Sequence, residues 1–179
     1  VQGARGRPPT PFYKVSATCM AGFRCSAQLT IVGLDAVAKA RRTGESLVER
    51  VREMVLARGW GDFSAVRVEV IGTETLYGPR ATSAPLREVM VRVALRHARK
   101  EALELFSRER AAPGTSWSPG TTGPGGGRAS VSPHIVPCAF LIPRSAVQPV
   151  VKLGDQTIAV PMAATAAPLA APAALPDPA

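Results

Sequence analysis

The residues with most capacity for chemistry lie in one stretch, Pro113 to Arg128, which reads Pro-Gly-Thr-Ser-Trp-Ser-Pro-Gly-Thr-Thr-Gly-Pro-Gly-Gly-Gly-Arg. Six of these sixteen residues are Gly and five are Ser or Thr, so bare backbone amides are interleaved with hydroxyls. Glycine lets a ligand approach the main chain closely, and a hydroxyl both donates and accepts hydrogen bonds. Such a surface suits phosphate, carboxylate or the amide-rich arm of coenzyme A. It is not a Walker A loop, because the Gly-Lys-Ser/Thr ending is absent. It also follows a helical pattern rather than a strand, unlike the dinucleotide fingerprint. A loop this long is either functional or disordered. Trp117, and the Thr121-Thr122 pair framed by Gly120 and Gly123, favour function. The expected ligand contacts are Thr115, Ser116, Gly120, Thr121, Thr122 and Gly123.

Proton transfer has three candidates. Glu74 and Tyr77 share the Gly72–Pro79 segment, where a carboxylate near a phenol can form an acid/base pair. The competing reading makes them solvated turn residues. His134 precedes an apolar run and lies close in sequence to the glycine-rich loop. His97, beside Arg96 and Arg99, reads as a solvated or capping residue. None of these patterns identifies a catalytic residue or a reaction, and there is no Ser-His-Asp arrangement.

Metal chemistry finds no motif: CxxC, HExxH and His clusters are absent, and no cofactor is implied by the residues. Three cysteines without framework spacing point to a reducing compartment, no structural disulfide and a cytoplasmic location. Cys19 and Cys25 are expected on a buried strand face as small core residues. The charge is +9, from 22 Lys+Arg against 13 Asp+Glu, and 18 of the 22 are Arg. The basic residues are spread along the chain without interleaved aromatics, which argues against a nucleic-acid surface. No apolar run is long enough for a membrane span or a signal peptide.

The elements that must hold the loop read as one α+β domain over residues 1–160, followed by an Ala/Pro-rich disordered linker over 161–179. Val1 to Pro11 is Gly- and Pro-rich and is expected to run extended. Tyr13, Val15, Ala17 and Cys19 alternate with polar residues, as do Phe23, Cys25, Ala27, Leu29 and Ile31. The pattern predicts a hairpin centred on Gly22, with Tyr13 opposite Ile31 and Cys19 opposite Cys25. Asp35 is expected to cap a helix that Gly59 ends, with Val37, Ala40, Leu47, Val48, Val51, Met54 and Val55 as its apolar stripe. Gly44 within it marks a bend or close packing. Further strands follow around Val66–Val70, Arg87–Arg96, Ile135–Ile142, Val147–Leu153 and Gln156–Val160, with a second helix over Lys100–Arg110. Pro137 marks an irregular start or a sheet edge. The order predicts a two-layer sandwich, a mainly antiparallel sheet with two helices on one face.

Several stretches together resemble the acyclic terpene utilisation family, in the C-terminal part of its core region. They are Pro11-Phe-Tyr-Lys-Val-Ser-Ala-Thr18, Ala38-Lys-Ala-Arg-Arg42, Val68-Glu-Val-Ile-Gly72 and Leu76-Tyr-Gly-Pro79. Glu104-Leu-Phe-Ser-Arg-Glu109, Gly114-Thr-Ser116 and Ser118-Pro-Gly-Thr-Thr-Gly123 continue the match. Arg110-Ala-Ala-Pro-Gly departs from the apolar approach expected there. The resemblance implies catabolism of branched, terpenoid acyl-CoA compounds, with a coenzyme A thioester as small-molecule substrate. It also implies an upstream α/β-type region of the same protein as a partner, and in many members a small ferredoxin-like domain beyond a linker. An acyl-CoA-processing enzyme is one expectation. The alternative is a non-catalytic assembly or dimerisation module of a larger enzyme, whose sheet or helices dock that upstream region or a second copy of the chain.

Overall fold

The structure, a computed structural model, describes Gly3 and residues 10–81, 86–123 and 127–161. The Ala/Pro-rich tail past Pro161 and most of the N-terminal run lie outside the described residues. The elements are β1 (Phe12–Val32), α1 (Ala36–Leu56), β2 (Ala65–Ile71), β3 (Glu88–His97), α2 (Lys100–Glu109), α3 (Ala111–Ser116), β4 (Thr121–Thr122), β5 (Val131–Pro143), β6 (Val150–Leu153) and β7 (Gln156–Ala159). The chain divides into two compact units, Met20–Val136 and Val1–Cys19 with Pro137–Ala179.

Unit Met20–Val136 contains the helices and the sheet order β2-β3-β1-β4, with β5 also paired to β1. The β2–β3, β3–β1 and β1–β4 ladders are antiparallel, as expected for an α+β sandwich. The β1–β3 register places Cys25 opposite Leu95, Ala27 opposite Val93, Leu29 opposite Val91 and Ile31 opposite Val89. All eight are buried, because successive side chains alternate between faces and these share the one beneath the helices. Leu47, Val48, Val51 and Val55 of α1 and Leu103 and Phe106 of α2 complete the same core. Their three- and four-residue spacing turns one stripe of each helix inward.

The expected hairpin is not formed: β1 is a single strand of 21 residues. The expected pairing joined odd-numbered residues to odd-numbered residues, so apolar parity is identical in a hairpin and in one uninterrupted strand. Long-range pairing decides between them, because β3 occupies the edge of β1 from Phe23 to Val32 that a hairpin would need. Gly22, the expected apex, instead lies against the end of β3, where an added Cβ would sit 2.8 Å from the His97 carbonyl oxygen.

Other expectations shift by local hydrogen bonding. Asp35 precedes α1 but adopts a left-handed conformation (φ 54°), and its side chain makes no cap. The helix does stop at Gly59, whose N–H donates to Leu56 O at 2.9 Å while Trp60 N–H donates to Val55 O at 3.2 Å. His97 is buried rather than solvated: its Nδ1 accepts from Arg99 N–H at 2.8 Å at the start of α2. Nε2 then carries the proton and donates to Gly61 O at 3.3 Å.

In the other unit, β6 and β7 form a two-stranded hairpin through the Gly154-Asp155 turn, pairing Val150 with Ala159. Pro11 O accepts from Arg144 N–H at 3.0 Å, and the Arg144 guanidinium lies over Tyr13 at 4.5 Å. Cys19 and Cys138 form a disulfide, their Cα atoms 6.1 Å apart. This corrects the expectation of three free thiols. Separated by 119 residues, the two cysteines become neighbours only when β5 pairs with β1.

Gly44 shows close packing, not a bend. A Cβ there would lie 2.6 Å from Val68 Cγ1 and 2.9 Å from Val91 Cγ2. Helix propensity favours Ala over Gly by about 1 kcal/mol, but overpacking a well-filled core costs about 1–3 kcal/mol. Gly44→Ala is therefore expected to lower the unfolding free energy, read as a fall in urea midpoint at unchanged slope.

Candidate functional site

The stretch from Pro113 to Gly123 is braced rather than loose. Its first half is α3, where Thr115 Oγ1 and Ser116 Oγ each donate to Ala112 O at 3.1 Å. These hydroxyls are bound back to their own helix. A turn follows over Ser118-Pro-Gly-Thr121, closed by Thr121 N–H donating to Ser118 O at 3.3 Å. Pro at the second position and Gly at the third, with φ 83°, are the residues a type II turn selects. The same turn is locked by the Ser118 and Thr121 hydroxyls, 2.9 Å apart.

Three contacts fasten this turn to the core elements. Val32 N–H donates to Gly120 O at 3.0 Å, and β4 pairs Thr121 with Ile31 and Thr122 with Thr30. Lys39 Nζ, from α1, donates to Val32 O at 3.1 Å and to Pro119 O at 3.2 Å. Arg110 reaches Gln28 O at 3.2 Å and Gly127 O at 2.6 Å, holding the far side of the segment. Its guanidinium is what the departure from an apolar approach supplies: a clamp between β1 and the loop.

Trp117 packs against the core and projects beside α1. With Ser118 it lines an open cleft of about 630 Å³ whose opposite wall is Ala38, Lys39, Arg42, Thr43 and Ser46. Trp117 and Ser118 also border a second hollow, about 390 Å³, lined by residues 113–121. Thr115, Ser116, Gly120 and Thr121 line that hollow, while Thr122 and Gly123 lie past it.

The wall contributed by α1 was missed by sequence reasoning. Lys39, Arg42, Thr43 and Ser46 recur at the spacing of a helix face, and Thr43 is buried. The pattern is visible, but nothing in it says that Trp117 stands opposite.

Glu74, Tyr77 and His134 line neither hollow. Glu74 takes a left-handed conformation (φ 53°) just before the 3₁₀ turn Thr75–Arg80, in which Tyr77 is exposed. His134 is buried in β5, and its Nδ1 has no hydrogen-bond partner among the described residues. Burial, then the nearby charges of Arg96 and Arg24, hold its imidazole below the ordinary histidine range. Burial pushes the Cys25 thiol up to about 11, so it stays protonated near neutrality and is a poor nucleophile. Among the described residues no group of three His, Cys, Asp or Glu side chains could hold a metal ion, and no helix is long and apolar enough to cross a membrane.

The described core is thus a two-layer α+β unit carrying a turn-braced, tryptophan-lined cleft. The chain belongs to the acyclic terpene utilisation family: the model of family protein AtuA matches residues 1–153. No curated protein and no solved structure matches it.

Gly120 is the hinge of this arrangement, since a Cβ there would overlap Val32 O as well as oppose the positive φ. Gly120→Ala is expected to destabilise the chain by more than about 1 kcal/mol. It is also expected to release residues 117–122 from β1, read as faster amide exchange confined to that segment.

Proposed function

We propose that the chain serves the breakdown of acyclic terpenoid compounds by binding a branched acyl-CoA thioester in the Trp117 cleft. Family membership supports the pathway. The observation that carries the ligand class is the conjunction, in one cleft, of the Trp117 ring with Lys39 and Arg42. An indole face takes an adenine ring or a branched alkyl chain, and the two cations suit phosphates. The alkyl stem of Arg42 extends the apolar wall while its head stays in water, and the Lys39 ammonium, held by Val32 O and Pro119 O, keeps one N–H for a ligand. No proton-transfer role is proposed for Glu74, Tyr77 or His134, because none of them lines the cleft.

Calorimetry with coenzyme A and short branched acyl-CoAs tests the reading. Trp117→Ala and Arg42→Ala are each expected to weaken binding about tenfold, the effect of losing one central contact residue. Affinity unchanged in Trp117→Ala rejects this cleft as the site.

An assembly role is the second reading, and it rests on the unit formed by Val1–Cys19 and Pro137–Ala179. Phe140, Leu141, Val150, Val151, Leu153 and Ile158 are all at least half exposed there, and every residue of β6 and β7 is exposed. Exposed apolar side chains concentrated in one small unit mark a surface that another chain covers. A second copy of this chain is the proposed occupant. Light scattering is expected to show a dimer that Leu141→Asp/Leu153→Asp converts to monomer; a parent that is monomeric at 100 µM, roughly a hundredfold above a micromolar dissociation constant, rejects this reading.

A further inference from the structure

The sheet of unit Met20–Val136 has a second face, turned away from the helices, and it collects arginine. The register that buries Cys25 and Leu95 turns Arg24 and Arg96 to this side as direct cross-strand partners. The β2–β3 register adds Arg67 and Glu69 of β2, with Glu69 opposite Arg92. Ala65 lies opposite Arg96, and Ala94 lies opposite both Ser26 and Arg67. These small residues floor a basin of about 660 Å³, with Ser132 of β5 also at its edge.

The charges in this basin fall into two groups. Glu69 is buried and satisfies two arginines: Arg67 Nε lies 2.7 Å from its Oε1, and Arg92 Nε lies 2.6 Å from its Oε2. Arg24 and Arg96 meet no carboxylate among the described residues. The Arg24 side chain has one long hydrogen bond, Nε to Ser132 Oγ at 3.4 Å. Like charges directly opposite on neighbouring strands repel. A sheet that places two guanidinia there, over a floor of alanine and serine, is short of one anion.

We propose that this basin binds a phosphate-type anion, a phosphomonoester or pyrophosphate group of a small metabolite. The group sits between the Arg24 and Arg96 guanidinia, with the Ser26 and Ser132 hydroxyls as further donors. Guanidinium forks pair with tetrahedral oxyanions through two parallel hydrogen bonds, which a lone serine cluster cannot do. Burial first, and then the charges of Arg96 and Arg24, depress the His134 imidazole, which stands near the same two guanidinia. This site lies on the opposite sheet face from the helices and does not rest on the Trp117 cleft reading.

Calorimetry on the full chain with inorganic phosphate, pyrophosphate and adenosine 3′,5′-bisphosphate tests it, and separates a free anion from a nucleotide-borne one. Arg24→Gln and Arg96→Gln are each expected to weaken the tightest of these at least tenfold, while Arg41→Gln, an exposed α1 residue that lines neither the basin nor the Trp117 cleft, leaves it unchanged. Without ligand, Arg96→Gln is expected to raise the melting temperature at low salt, because it removes the repulsion. Binding of no phosphate ligand, or equal binding by parent and Arg24→Gln/Arg96→Gln, overturns the proposal. Loss of binding only in Arg42→Gln overturns it too, while supporting the Trp117 cleft. A preference for duplex DNA over all three small ligands would make the face a nucleic-acid surface and equally overturn it.

Discussion

One ladder governs this molecule, the ten-residue pairing of β1 with β3 from Phe23–His97 to Val32–Glu88. It sets which side chains of the two central strands face the helices. A slip of one residue would exchange Cys25, Ala27, Leu29 and Ile31 for Arg24, Ser26, Gln28 and Thr30. Every feature with chemical interest is downstream of that choice. The core forms on one face, the arginines gather on the other, and β1 presents its free edge at Thr30–Val32 to receive the Ser118–Thr121 turn.

The cleft beside Trp117 shows how a glycine-rich segment becomes a fixed wall. Its polar groups are consumed largely in holding its own shape, with Thr115 and Ser116 bonded to α3 and Ser118 to Thr121. The groups left facing the cleft come from the indole ring and from α1. Hydroxyls that stabilise a turn and hydroxyls that bind a ligand look alike as letters. Which role they play depends on whether a backbone carbonyl lies within reach, and here it does for Thr115 and Ser116. Lys39 adds rigidity by tying Val32 O and Pro119 O to one ammonium, so helix, strand and turn meet at a single point.

The two faces of the sheet also differ in how they tolerate charge. Glu69 is withdrawn from water yet keeps both carboxylate oxygens paired, so its burial leaves no uncompensated acceptor. Arg24 and Arg96 are exposed, where water screens much of their repulsion. An open basic face of this kind is stable enough to fold and unsatisfied enough to attract an anion.

The sequence by itself determined the class of fold, the helices α1 and α2, the inward residues of β3 and the β6–β7 hairpin. Each of these follows from periodicity or turn residues within a dozen positions. At Gly44 the sequence left a bend and close packing both open, and only the positions of Val68 and Val91 decide for packing. The single long β1, the Cys19–Cys138 bond, the α1 wall opposite Trp117 and the arginine basin were decided only by tertiary structure. All four depend on which distant segments pair. Alternating polarity states which side of a strand is wet, but not which strand lies beside it, because parity survives both a hairpin and a straight run. Arg24 and Arg96 are 72 residues apart in the chain (96 − 24) and become neighbours only through the ladder.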